Sequence, residues 1–294
     1  MNVDIAIVGA GPAGLCLARS LSGHGLSIAL IERQARAELA EPAFDGREIA
    51  LTHASQHILQ HLGLWQRFAA DDMAPLRDAQ VLNGPSLFAL RFQAEQVGQQ
   101  RLGYLVANQA IRRAAYQAVA ECDDVQWLDE AQIDDLHTDS SGASLRLKDG
   151  RELRTRLLVA ADSRFSETRR RLGIGARMQD FGKSMLVCRM RHEHSHRQTA
   201  WEWFGHGQTL AVLPLNDNCC SAVLTLPPRE IDALQALDED AFAREMERRF
   251  DQRLGAMQLI SSRHAYPLIG VRAERLCAAR SALIGDAAIG MHPV

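Results

Sequence analysis

The stretch Asp4-Ile5-Ala6-Ile7-Val8-Gly9-Ala10-Gly11-Pro12-Ala13-Gly14-Leu15 constrains this chain more than any other. A β-branched apolar run meets three glycines, and an apolar-periodic segment follows through Leu17, Ala18 and Leu21 to Gly23. That order predicts strand, tight turn and helix. Gly9 allows the turn, Gly11 lets backbone approach a pyrophosphate, and Gly14 lets helix and strand pack closely. The helix N-terminus then offers free N–H groups and a positive dipole end to phosphates.

A second strand is predicted from Leu26 to Ile31, ending in Glu32. A carboxylate at that place can accept hydrogen bonds from both hydroxyls of an adenosine ribose, and would repel a 2′-phosphate. Strand, glycine turn, helix, strand and terminal acid together point to a bound dinucleotide; they do not separate FAD from NAD.

The 294 residues suffice for more than one lobe. A net charge of −3 gives no argument for nucleic acid, and no basic run suggests a DNA or RNA footprint. Asp4 and the glycine turn occupy the place of a signal sequence, and no apolar run has the length of a membrane span. The six cysteines form no C-x-x-C pair, which suggests a reducing, cytoplasmic compartment. Adjacent Cys219 and Cys220 read as structural thiols on opposite faces of a strand rather than as a redox pair.

Residues 33–50 read as a loop, and Ser55 to Phe68 as a helix with Ile58, Leu59, Leu62 and Trp65 on its apolar stripe. Strands are expected at Ala79–Leu82 and Leu87–Phe92, a helix from Asn108 to Val119, and further strands at Val125–Leu128, Ile133–Thr138 and Leu145–Lys148. Asp149-Gly150 turns into another strand, Glu152–Leu157, and the run Leu157 to Asp162 is a buried strand ending in an acid. Arg169, Arg170 and Arg171 read as a solvated helix face. From Lys183 to Leu226 successive strands suggest an antiparallel sheet; a helix from Asp238 to Phe250 and a strand from Leu259 to Tyr266 follow. His192, His194 and His196 read as a polar hairpin loop rather than a metal cage. Leu283-Ile284-Gly285-Asp286 repeats the strand-then-acid theme.

Four pieces together resemble the flavoprotein aromatic hydroxylases of the para-hydroxybenzoate hydroxylase type, and above all the ubiquinone-biosynthesis hydroxylases. They are Gly9-Ala10-Gly11-Pro12-Ala13-Gly14 with Glu32-Arg33, Arg47 before Ala50-Leu51, Leu158-Val159-Ala160-Ala161-Asp162, and Leu283-Ile284-Gly285-Asp286-Ala287-Ala288 with Pro293. The resemblance implies an α/β fold: a Rossmann-like FAD-binding domain (1-75, 106-182 and 271-294) and an inserted antiparallel-sheet substrate domain (76-105 and 183-270). Relatives carry C-terminal helices past the equivalent of Val294, so the chain reads as a C-terminally truncated fragment that folds, holds FAD poorly and does not turn over.

The resemblance also implies roles. Gly9, Gly11, Ala13 and Gly14 hold the FAD pyrophosphate, Glu32 its adenosine ribose, and Arg33 lies near the adenine. Arg47 sits by the flavin. Asp162 serves both pyrophosphate and entering NAD(P)H, Gly285 and Asp286 serve the ribityl chain, and Pro293 lies beside the isoalloxazine. The implied reaction is hydroxylation of an aromatic ring, a prenylated phenol of ubiquinone biosynthesis, with NAD(P)H and O2 through a C4a-hydroperoxyflavin. Such a reaction needs no catalytic nucleophile or metal from the protein. Trp201, Trp203, Phe204 and Leu213 are candidate pocket walls, with ordinary sheet core as the alternative for each. The implied partners are a quinone precursor, O2, a quinone-biosynthesis protein assembly and peripheral contact with the inner membrane.

Two departures from the family pattern bear on function. Its Asp-Gly is Asp162-Ser163 here, and the usual histidine after Gly-Asp-Ala-Ala is Ile289. Alternative readings are an NAD-dependent dehydrogenase, a halogenase or prenyl-chain reductase of the same fold, and a non-catalytic member of a quinone-biosynthesis assembly.

Overall fold

In the computed structural model, which describes residues 1–86, 88–205 and 207–292, β1 (Asn2–Val8) runs into Gly9 and the chain turns into α1 (Pro12–Leu21). Proline suits the start of α1: its φ is already helical, and it lacks the N–H that a first turn leaves unpaired. β2 (Ile28–Ile31) returns parallel to β1, with Ile31 opposite Val8. Residues 33–50, expected as loop, contain α2 (Arg36–Ala40) and the start of β3 (Glu48–Thr52). A five-residue helix is too short to display a period, and α2 is held by burying Leu39.

α3 (His53–His61) is capped by Thr52, which accepts from the N–H of Ser55. It stops at Gly63, where φ is +75°, so the helix expected to Phe68 is cut short and a 3-10 turn, Trp65–Arg67, follows. The expected stripe is corrected as well: Leu59 is buried but Ile58 is 57% exposed. β4 (Met73–Leu76), β5 (Asp78–Asn83), β6 (Ala89–Gln93) and β7 (Gly103–Ala107) come next. β7 pairs with both β3 and β4 in a small three-stranded sheet. α4 (Asn108–Ala120) lays an alanine-rich face, including Ala110, Ala114 and Ala118, against the core it shares with α1.

β8 (Val125–Leu128), β9 (Ile133–Thr138), β10 (Ala143–Leu147) and β11 (Glu152–Ala160) lead to α5 (Glu167–Arg171). Arg169 overturns the expectation of a solvated arginine face. It is 3% exposed, and its Nη1 donates to the carbonyls of Arg164 and Ala287 at 3.2 and 2.8 Å. Helical spacing turns Arg169 inward while Arg170 stays exposed.

The long strand β12 (Ala176–His192) bends at a register shift between Asp180 and Ser184. It is followed by β13 (Thr199–Phe204), β14 (Thr209–Pro214), β15 (Cys219–Leu226), α6 (Pro228–Gln235) and α7 (Glu239–Arg249). Asp238 caps α7 by accepting from the N–H of Ala241. The strand expected over Leu259–Tyr266 is interrupted: β16 (Met257–Leu259) ends at its first residue and β17 (His264–Ala273) begins within it. β18 (Cys277–Ala278), β19 (Ser281–Leu283), a 3-10 turn at Gly285–Ala287 and β20 (Ile289–Gly290) complete the described chain.

One sheet has the order β18-β19-β11-β1-β2-β8, with β10 and β9 added beside β11. A second has the order β20-β17-β12-β15-β14-β13-β5-β6. It is not wholly antiparallel, because β13 and β5 run parallel. α6 and α7 cover one of its faces, where Leu186, Val212, Leu224, Phe242, Met246 and Phe250 form a core. β19 lies in the first sheet and β20 in the second, so the end of the described chain ties the two together. No described helix is long and apolar enough to cross a membrane.

Candidate functional site

Four parallel strands end at one place. Val8 of β1 is opposite Ile31 of β2 and Ala160 of β11, and Ala160 is opposite Leu283 of β19. The C-terminal edge of such a sheet is where α/β folds bind ligands, because the loops there diverge and helix N-termini point into the gap. Gly9, Glu32, Ala161-Asp162 and Ile284-Gly285, far apart in sequence, are the residues that follow these four ends.

The glycines of the first turn do different work. Gly9 has φ +108°, and a Cβ there would lie 2.5 Å from the Ala161 carbonyl oxygen. A Cβ on Gly14 would lie 1.9 Å from the Gly9 carbonyl oxygen. Both positions are closed by the protein's own backbone. At Gly11 a Cβ would meet nothing within 4 Å, so the space above the start of α1 is open. An open cradle over unpaired helix N–H groups fits the pyrophosphate of a dinucleotide. Gly285, at φ +57°, closes the other side: a Cβ on it would fall 2.9 Å from the Cβ of Ala13.

Glu32 stands at the rim of this cradle. Its Oε2 accepts from the Ala10 N–H at 2.7 Å and its Oε1 from the Gln34 N–H at 3.0 Å. The carboxylate is thereby fixed in orientation with acceptor capacity left over, since each oxygen has two lone pairs. Arg33 is exposed beside it.

Asp162 points toward α5. Its Oδ2 accepts from the Thr168 N–H at 3.0 Å, and its Oδ1 accepts from the Ser166 hydroxyl. Ser163 has φ +90°, a conformation that favours glycine. A conformation suited to glycine is thus taken here by a residue with a side chain. Asp286 is more than half exposed and lies 3.4 Å from Arg164 Nη2. Arg164 also donates through Nη1 to the Ile269 carbonyl at 2.7 Å, bridging the two sheets. Arg164 and Arg169 belong to no sequence motif of the site; their closeness to Asp162 in sequence is the one signal that points to them.

Arg47 belongs to a second cluster. It pairs with Asp45 at 2.6 Å and lies 5.6 Å from the Tyr266 ring centroid. Tyr266 donates its hydroxyl to the Asp45 carbonyl at 2.6 Å, and Asn108 Nδ2 donates to Asp45 Oδ2 at 2.7 Å. Burial opposes ionisation of Asp45, but Arg47 and Asn108 outweigh it and hold the carboxyl below its ordinary value. One residue on from Arg47, Glu48 has a 1% exposed side chain bound to Arg189 at 2.6 Å. Burial raises its pKa, and Arg189 offsets part of that rise. No sequence motif marks this pair, which joins the three-stranded sheet to the large one.

The candidate wall residues divide by face. Trp201 and Trp203 pack against the core under α6 and α7, and Trp203 Nε1 donates to the Gly84 carbonyl at 3.0 Å. For these two the sheet-core alternative describes their position. Phe204 and Leu213 alternate to the opposite face. Pro293 lies outside the described residues. Cys220 is buried and Cys219 half-exposed, and both are free. The histidine loop is less polar than expected. His192 and His196 are each 4% exposed, their rings 5.1 Å apart, and burial lowers both pKa values. No group of residues suited to a metal ion occurs among the described residues.

A family model described as FAD binding domain matches residues 2–294. The ubiquinone hydroxylase UbiM of Neisseria meningitidis is 46% identical over 100% of this chain and 65% of its own length. The ubiquinone hydroxylase UbiL of Rhodospirillum rubrum is 36% identical over 99% of the chain and 67% of its length. The 3-demethoxyubiquinol 3-hydroxylase of Escherichia coli is 30% identical over 99% of the chain and 74% of its length. The chain thus spans about two thirds of the length of the curated relatives it matches. Among solved structures, Pseudomonas aeruginosa PqsL in complex with 2-aminobenzoylacetate superposes with a TM-score of 0.84 at 23% identity, covering 100% of this chain and 81% of PqsL. That likeness concerns the fold. With a glycine cradle that fits a dinucleotide and a family match over nearly every residue, the chain belongs to the FAD-binding-domain family of flavoprotein hydroxylases, alongside the ubiquinone-biosynthesis hydroxylases.

Proposed function

We propose that this chain is the FAD-holding and substrate-covering part of a monooxygenase that hydroxylates a prenylated phenol on the way to ubiquinone, with NAD(P)H as reductant. The observation that carries the reading is the convergence of Gly9, Glu32, Asp162 and Gly285 on the ends of four parallel strands, in a chain 46% identical to a ubiquinone hydroxylase. When bound, FAD supplies the redox chemistry with NAD(P)H and O2.

The protein's own groups supply position and electrostatics. Gly9, Gly11, Ala13 and Gly14 would hold the pyrophosphate against the start of α1, and Glu32 the ribose, with Arg33 near the adenine. Gly285 and Asp286 would meet the ribityl chain. Asp162 would brace the adjoining loop from the side where NAD(P)H enters. Arg47, tied to Asp45 and Tyr266, would sit beside the flavin. The large sheet would cover the ring system and keep water out. Contact with a membrane surface would deliver a prenylated substrate.

The test is anaerobic stopped-flow reduction of the FAD-loaded full-length protein by NADH and by NADPH, with and without 2-prenylphenol. Faster flavin reduction with the phenol, followed on aeration by a product one oxygen atom heavier, is expected. No reduction under either condition would overturn the reading.

A further inference from the structure

The face of the large sheet turned away from α6 and α7 carries polar atoms that find no partner among the described residues. On β13, Trp201 and Trp203 pack into the helix-covered core, so Glu202 between them projects to the opposite face. Strand register carries that face across the sheet. Glu202 is opposite Ala211, Ala211 opposite Val223, Val223 opposite Val187, and Val187 opposite His264. The far end of the row lies under the Arg47 loop: a Cβ on Gly46 would fall 2.7 Å from Val187 Cγ2 and 2.9 Å from His264 Cδ2. The row therefore begins at the loop assigned to the flavin and ends at a carboxylate. Between them are only short apolar side chains.

Two buried polar side-chain atoms on this face, Glu202 Oε1 and Ser221 Oγ, have no hydrogen-bond partner among the described residues. Ser221 shares the face because it is opposite Leu213 and Arg189. A buried carboxylate oxygen without a donor is costly. Two such atoms flanking an apolar floor describe a site that a ligand with its own polar hydrogens completes.

We propose that Glu202 accepts the ring hydroxyl of the aromatic substrate and takes its proton, with Val223 and Ala211 as the floor beneath the ring. This rests on the hydroxylase reading and adds a catalytic residue to it. The proton passes from the phenol oxygen to Oε1, the carboxylate becomes the neutral acid, and the phenol becomes a phenolate with a more electron-rich ring. Loss of the proton from Glu202 to solvent restores the carboxylate for the next substrate.

The surroundings suit that task. Burial pushes the Glu202 carboxyl up to about 7. That lies nearer than an ordinary carboxylate to a phenol, whose pKa is about 10, so proton transfer is less unfavourable. Directly opposite Glu202 are Ala211 and Val81, and diagonal to it are Thr209, Leu213, Ala79 and Asn83, none of them charged. β4, which touches β14, brings no ionisable group either.

The experiment compares wild type, Glu202→Gln and Glu202→Asp in the FAD-loaded full-length protein with 2-prenylphenol. Two readouts are taken: the ultraviolet difference spectrum of the bound phenol, and the pH profile of hydroxylation. Wild type is expected to bind the probe with phenolate absorbance at pH 8 and to gain rate through pH ~7. Glu202→Gln should lose the phenolate band and the pH limb and slow about 100-fold, with FAD content and melting temperature kept or raised, and Glu202→Asp should keep part of both. A Glu202→Gln protein with the wild-type spectrum, rate and pH profile would overturn the assignment and leave the hydroxylase reading intact. Phenolate binding by wild type without hydroxylation would sink the hydroxylase reading and leave the role of Glu202 in binding intact.

Discussion

The backbone N–H of Ala10 donates to Glu32 Oε2 at 2.7 Å, so the acid that closes β2 is fastened to the glycine turn that follows β1. The contact orients the carboxylate before any ligand arrives. Replacing Glu32 with Gln should weaken FAD binding about tenfold, equivalent to ~1.4 kcal/mol. Glu32→Ala should weaken it further and also lower the melting temperature, because the Ala10 and Gln34 N–H groups lose their acceptor. Titration of FAD followed by flavin fluorescence, with a thermal melt of the FAD-free protein, checks both.

The same substitution at two glycines should fail for opposite reasons. Gly14→Ala puts a Cβ 1.9 Å from the Gly9 carbonyl oxygen, so it should prevent folding of the cradle. Gly11→Ala meets nothing within 4 Å. It should leave the FAD-free melt within about 1 kcal/mol of wild type while sharply reducing FAD affinity. Circular dichroism melts set beside FAD titrations separate the two cases.

Ser163 holds φ +90° without being a glycine. Such a conformation costs of order 1–3 kcal/mol in a residue with a side chain. Ser163→Gly should therefore raise the thermal midpoint, and Ser163→Val should lower it. Differential scanning calorimetry on the three proteins decides the point. A Gly variant no more stable than wild type would show that the turn is not strained.

Arg169 is buried at 3% exposure and donates to the carbonyls of Arg164 and Ala287. It locks α5 to the turn that carries Asp286. Arg169→Met keeps much of the volume but removes the donors, and should cost about 2–3 kcal/mol in urea unfolding. Arg170→Met, one residue along and exposed, should change stability by less than about 0.5 kcal/mol.

Glu202 makes stability depend on pH in a defined direction. Its carboxyl is raised by burial from 4.5 to about 7 in the folded protein. The folded state therefore holds the proton over a range in which the unfolded state has released it. Stability is greatest below the ordinary carboxylate pKa and falls as pH rises through that window. Glu202→Gln should be closest to wild type near pH 4 and more stable than wild type at pH 8, as read from urea midpoints at the two pH values.

Much of the cofactor side of this protein is legible in one dimension. The strand, glycine turn and acid at Glu32 are contiguous, and each part has a local cause: β-branched residues favour a strand, glycine alone takes the turn, and Pro12 starts a helix. Asp162 and Asp286 could be read as strand-ending acids for the same reason. The second sheet is less legible, because strands paired across long separations leave no trace in local spacing. The parallel pairing of β13 with β5 and the departure of β20 from the first sheet are of that kind.

By itself the sequence determined the elements whose cause is local: the Gly9–Gly14 cradle, the cap at Asp238, and the alternation that sets Trp201 and Trp203 against Glu202. Tertiary structure alone decided the rest. It turned Arg169 inward, set Ile58 outward, joined Glu48 to Arg189, and left Glu202 Oε1 buried without a donor among the described residues. Whether a side chain is buried, paired or orphaned depends on which distant strands and helices surround it, and that is a property of the packed chain rather than of any segment within it.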